Sequence, residues 1–114
     1  MRSGMVVAAM MGLMLAGCGP QTPEQARIDN IQDMAEAEAD ALESASKNQI
    51  GQIEAQADTI GAQAEVAKGY EAERLKTRAE ALRKDAEIIE RQAKAKVQAV
   101  RDRARADVSA LKAQ

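Results

Sequence analysis

Apolar residues recur every eleven positions along most of this 114-residue chain. Eleven residues fill three turns of an α-helix wound at about 3.67 residues per turn, so such a series marks one helical face. After Pro23 there is no further proline, the residue that a helix interior tolerates least. The fold is therefore predicted to be all-α. The eight positions of the series are Ile31, Leu42, Ile53, Ala64, Leu75, Ala86, Val97 and Val108.

The phase of this series does not change at Gly51, Gly61 or Gly69. A loop of arbitrary length would reset the phase, so its continuity favours one long, nearly straight amphipathic helix over residues 23–114, coiled-coil-like with an eleven-residue period. The apolar face also drifts along the chain, as expected of a helix slightly tighter than the period. Three positions before the series the row is apolar early and basic late: Ile28, Ala39, Ile50, then Arg83, Lys94, Arg105.

The helix start is marked by four consecutive residues after the spacer Gly19-Pro20-Gln21. Thr22 is the predicted N-cap, Pro23 suits the first helical position, and Glu24 lies at the positive end of the helix dipole. Gln25 completes a capping box with Thr22.

Charge divides the predicted helix into two halves. Residues 23–65 contain ten acidic and two basic residues, whereas residues 66–114 contain eight acidic and thirteen basic residues. One interpretation is a basic distal end that contacts an acidic partner through Arg101, Arg103, Arg105 and Lys112. A second is antiparallel pairing of acidic and basic arms, between two chains or within one helical hairpin turning near Gly69. The third is simple solvation of a helix.

The composition argues against a compact core and against catalysis. Phe and Trp are absent and Tyr70, the only aromatic residue, is expected to be half-buried in packing. Histidine is also absent and Cys18 is the only cysteine, which removes the commonest metal ligands, nucleophiles and general bases. We expect no enzymatic activity, no metal and no cofactor. Nucleic-acid binding is not expected either, because no aromatic platform accompanies the arginines.

The first 17 residues have the layout of a cleaved signal peptide: Arg2, an apolar run from Met5 to Leu15, and small residues before Cys18. The run is shorter than the about 20 residues of a membrane-spanning helix. Leu15-Ala16-Gly17-Cys18 resembles the lipobox of bacterial lipoproteins. That resemblance implies cleavage before Cys18 and a covalent lipid on its sulfur, a diacylglycerol with palmitate-type acyl chains. Gly19, in place of the aspartate that favours the inner membrane, implies the outer membrane.

Three segments follow from these features: a signal peptide at 1–17, a lipidated N-terminus and spacer at 18–22, and a long helix at 23–114. The plan is similar to that of murein lipoprotein, although Ala113-Gln114 lacks the terminal lysine used for covalent attachment to peptidoglycan. The expected function is a lipid-anchored, periplasm-facing structural or tethering rod. Its expected partners are the membrane, a second copy or another helical protein, and peptidoglycan non-covalently. The alternatives are a lipid-surface or stress-protective helix, similar to apolipoprotein and late-embryogenesis-abundant segments, and an adaptor in an envelope complex.

Overall fold

A computed structural model describes residues 22–114 of the chain. It contains two α-helices: α1 spans Pro23–Val66 and α2 spans Tyr70–Lys112, with 44 and 43 residues. Within the described range there is no β-strand. The all-α prediction is confirmed.

The prediction of one continuous helix is wrong, and the alternative of a hairpin turning near Gly69 is confirmed. The chain leaves α1 through Ala67, which has extended backbone at φ −80° and ψ 164°, and enters α2 through Gly69 at φ 64° and ψ −135°. A positive φ at this ψ is accessible essentially to glycine alone. Residues far apart in sequence then meet, such as Asp58 with Arg83 and Glu36 with Arg101. The helices are therefore antiparallel.

The seam between the helices explains why the eleven-residue phase survives the turn. Ala64 and Leu75 are consecutive members of the series, and the three-residue connection 67–69 lies between them. In an antiparallel hairpin both apolar faces turn toward each other, so no change of phase is required. All eight positions of the series are buried or half-buried in the structure. The period therefore reports which face is covered, and it carries no information on whether the helix continues.

Small residues dominate the most covered part of the seam. Five of the eight buried residues are alanines, and Ala39 and Ala57 have no exposed surface. Larger seam residues such as Leu42, Ile53, Leu75 and Ile89 are only half-buried. A pair of helices forms a single layer, which covers one side of a large side chain and leaves the other side open. The full buried set is Ile28, Ala39, Ala57, Ala64, Ala79, Ala86, Val97 and Val108.

The predicted helix start is confirmed at Pro23, with Thr22 as the N-cap. The Thr22 hydroxyl oxygen accepts a hydrogen bond from the Gln25 backbone N–H at 3.1 Å. The Gln25 side chain, predicted to complete the capping box, instead donates from Nε2 to Asp29 Oδ1 at 3.0 Å. Gly69, the N-cap of α2, has no side chain for a cap, and Glu71 and Glu73 supply negative charge to the first turn instead.

The leader, the lipobox residues Leu15, Ala16 and Gly17, and Cys18 lie outside the described residues. In the part of the chain that is described, neither helix is long and apolar enough to cross a membrane.

Candidate interaction surface

The polar and charged side chains of the described hairpin all lie at its surface. Within residues 22–114 no polar or charged side chain is buried. In the same range no group of three or more acidic, histidine or cysteine residues is arranged to hold a metal ion. The candidate features for interaction in this range are its grooves, its exposed apolar side chains and its distribution of charge.

Two ion pairs join the acidic helix to the basic helix. Arg83 Nη2 lies 3.4 Å from Asp58 Oδ1, and Arg101 Nε lies 3.8 Å from Glu36 Oε1. Both pairs are exposed, so each contributes no more than about 1 kcal/mol to stability. Their position is more informative than their strength, because they place the basic arm of the chain against its own acidic arm.

The structure divides the four predicted partner-contact residues between two sides of the hairpin. Arg101, Arg105 and Lys112 line one groove near the open end. Arg103 lines a groove on the other side, beside Met34. Arg105 also forms an ion pair with Asp102 on its own helix at 3.3 Å. All four residues lie at the end of the hairpin where α1 begins, since α2 runs back toward Thr22.

A groove follows the seam on the side that carries Arg101, Arg105 and Lys112. Three adjoining depressions form it: the central one shares Arg101 with the depression toward the open end and Ile50, Glu54 and Glu90 with the one toward the turn. We call this continuous surface the long groove. Its central part has a volume of about 570 Å³. The floor there is apolar or small: Ser46, Ile50, Gly51, Ala93 and Val97.

The two rims of the long groove have opposite net charge. The α1 rim has four acidic residues and one basic residue, and the α2 rim has five basic residues and two acidic residues. Sequence reasoning found the charge asymmetry of the two halves but missed the groove, because the groove exists only when the two arms are aligned side by side. The charged residues are Glu36, Glu43, Lys47, Glu54 and Asp58 on α1, and Arg83, Glu87, Glu90, Lys94, Arg101, Arg105 and Lys112 on α2.

The turn presents a second exposed feature. Val66 and Tyr70 flank the connection and are each 83% exposed. The expectation that Tyr70 is half-buried in packing is wrong, because the reversal of the chain at Gly69 places the first residue of α2 at the tip. An aromatic and a branched aliphatic side chain thus face solvent at the end farthest from Thr22.

Comparisons of the chain with known protein families, curated proteins and solved structures found no match. Any function proposed for this chain therefore rests on its own residues and geometry.

Proposed function

We propose that this chain is a lipid-anchored structural or tethering protein of the bacterial cell envelope, which faces the periplasm from the outer membrane. The observation that carries the proposal is the position of the only cysteine. Cys18 follows Leu15-Ala16-Gly17 at the end of a short apolar leader, and it precedes the N-cap Thr22 by four residues. The lipid-bearing residue would therefore lie directly before the first helix of the hairpin.

The anchor works through buried methylene groups. Each contributes about 0.8 kcal/mol, so a single acyl chain holds a protein marginally, whereas the two chains of a diacylglycerol hold it stably. The sulfur of Cys18 would carry that lipid through a thioether bond. The role is non-catalytic, and the covalent lipid is the only bound group that it requires.

The hairpin sets the reach of the protein. At about 1.5 Å per residue, the 44 residues of α1 extend about 66 Å from the anchored end to the turn. A single helix over both arms would have extended about twice as far. The α2 helix returns to the anchored end, so the basic residues Arg101 to Lys112 lie near the membrane instead of far from it. Non-covalent contact with peptidoglycan would be made by the turn end, which lies farthest from the anchor.

The exposed turn favours the adaptor function as a second candidate. Val66 and Tyr70 are held about 66 Å from the anchor, where an envelope partner could pack against them. The lipid-surface alternative is less favoured, because the apolar residues that such a helix would insert into lipid pack against the other arm of the hairpin.

Replacing the acceptor of the lipid tests the proposal. We expect Cys18→Ser to abolish incorporation of a palmitate analogue and to stop cleavage between Gly17 and residue 18. Gly19→Ser is the matched control, because it introduces the same residue one position later and keeps the cysteine. Acyl labelling and cleavage that persist in Cys18→Ser would contradict lipidation at this residue.

A further inference from the structure

The long groove leaves apolar surface uncovered along the hairpin. Ile50, which lines this groove, is only half-buried, because the two helices form a single layer. No large side chain among the described residues has less than 2% of its surface exposed. Since most helical stability in proteins comes from packing an amphipathic face, a second layer over this groove would complete the apolar core.

We infer that the long groove docks onto the same groove of a second copy, so that two hairpins form a four-helix bundle with their turns at the same end. In this bundle α1 of each copy lies over α2 of the other copy. The inference deepens the proposed function and rests on it for the position of the anchors. It names the partner as the chain itself.

Charge selects this arrangement over the alternative. Two hairpins that stack through the same face are related by a two-fold axis in the plane between them. This axis runs either parallel to the helices or perpendicular to them. The first places α1 over α2 of the other copy, and the second places α1 over α1 and α2 over α2. Because α1 carries ten acidic and two basic residues while α2 carries eight acidic and twelve basic residues, only the first brings opposite net charges together.

The charged residues on the two rims of the groove favour the same arrangement. Glu43 and Lys94 lie on opposite rims of the central part of the groove, each seven residues from the pair Glu36 and Arg101 and so at the same level along the hairpin. With the axis along the helices, Glu43 of each copy faces Lys94 of the other. With the axis across the helices, the predominantly acidic rim of α1 would face itself, and like charges at close range are unfavourable.

The position of the lipid anchors favours the same arrangement. Both helices of one copy have their open ends at Thr22 and Lys112, so Cys18 is tied to that end. Turns at the same end place the two Cys18 residues at the other end together, where both lipids enter one membrane. The crossed arrangement would separate the two anchors by about the length of the hairpin, on the order of 60 Å.

The groove floor has room for a second layer. A Cβ atom added at Gly51 would meet no heavy atom within 4 Å. Ser46 and Ala93, on the same floor, are also small. Small residues at a helix contact let the axes approach closely. The groove can therefore receive side chains of a second copy without rearranging the hairpin.

Disulfide crosslinking of the full-length protein in cells tests the arrangement. Two differently tagged chains are co-expressed, one with Glu43→Cys and the other with Gln98→Cys, since both positions line the central groove on opposite helices, each fifteen residues from the pair Asp58 and Arg83 and so at the same level. We expect an intermolecular disulfide between them. The comparison pair is Gln98→Cys with Glu87→Cys, two positions on α2 about 16 Å apart along the axis. We expect this pair to remain uncrosslinked.

A disulfide between positions 87 and 98 instead of 43 and 98 would overturn the inference in favour of the crossed arrangement. Absence of both disulfides would overturn self-docking through this groove. Chains without an added cysteine report on the anchor separately. A disulfide between two Cys18 residues in that control would show a free thiol and would contradict lipidation without bearing on the groove.

A charge placed in the groove gives an independent measurement. Gly51→Lys adds a long cation to the groove floor, where the hairpin has room for it, and Gln52→Lys adds the same charge to an exposed neighbour outside the groove. Because an unpaired charge buried at an interface is costly, we expect Gly51→Lys to reduce the 43–98 crosslink about tenfold. We expect Gln52→Lys to leave it unchanged. Equal crosslinking in both variants would contradict docking on this face.

Discussion

Gly69→Ala should convert the hairpin into an extended helix that pairs with a second chain. The φ of 64° and ψ of −135° at Gly69 would strain an alanine by about 1–3 kcal/mol. In a continuous helix the same alanine is favoured over glycine by about 1 kcal/mol. The change therefore shifts the balance toward a straight connection by about 2–4 kcal/mol, on the order of 30- to 1,000-fold.

A continuous helix exposes its seam unless another chain covers it. We therefore expect Gly69→Ala to form extended, antiparallel pairs in which each arm packs against the opposite arm of the other chain, a domain swap through a straightened hinge. The eleven-residue series has the same phase on both sides of Gly69, so the swapped pair keeps the seam contacts of the hairpin.

Energy transfer between dyes at Gln52 and Gln92 measures the change. Both residues are exposed and lie next to Gly51 and Ala93, which line the same part of the long groove. In the hairpin their labels are on the order of 20 Å apart, given helix axes 8–10 Å apart, whereas a continuous helix separates them by about 60 Å. Labelling by chemistry that does not use thiols leaves Cys18 untouched, and dilution with unlabelled chain isolates the intrachain distance.

The matched control is Gly61→Ala. Gly61 lies inside α1, and an added Cβ would be 3.7 Å from Arg83 Nη2, which is an ordinary contact. We expect Gly61→Ala to keep the short distance and to stabilise the hairpin by up to about 1 kcal/mol. A short distance retained in Gly69→Ala, together with a gain in stability like that of Gly61→Ala, would refute the assignment of the turn to the backbone of Gly69.

Three further predictions concern the described residues. Thr22→Ala should lower the free energy of unfolding by about 0.5–2 kcal/mol, because it removes the N-cap of α1, and hydrogen exchange at the first turn should rise. Ala57→Leu should destabilise the hairpin by about 1–3 kcal/mol in thermal unfolding, because Ala57 has no exposed surface; an increase in stability would contradict close packing of the seam. A double-mutant cycle on Asp58 and Arg83 should give a coupling below about 1 kcal/mol that declines with added salt, whereas a salt-independent coupling would contradict the exposed geometry.

The sequence predicted the local features of the fold better than its long-range ones. Thr22 and Pro23 mark a helix start by their own chemistry, and the structure begins α1 there. The eleven-residue series predicted the covered face, since Ile31 through Val108 lie on the seam. These features depend on neighbouring residues or on helical geometry alone.

The presence of a glycine was not enough to predict where the chain turns. Gly51, Gly61 and Gly69 all interrupt good helix-forming sequence, but only Gly69 has a positive φ among the described residues. Packing of one arm on the other decides which glycine bends, and that contact joins residues far apart in the chain. The long groove could not be predicted for the same reason, because its two walls come from arms that are far apart in the sequence.

The most direct test of the account is the mass of the N-terminal peptide of the mature protein. The account predicts a peptide that begins at Cys18 and carries a diacylglycerol on the sulfur, so the hairpin starts within five residues of the lipid. A mature chain that retains Met1, or that begins at Cys18 with an unmodified thiol, would contradict the lipid anchor on which the proposed function depends.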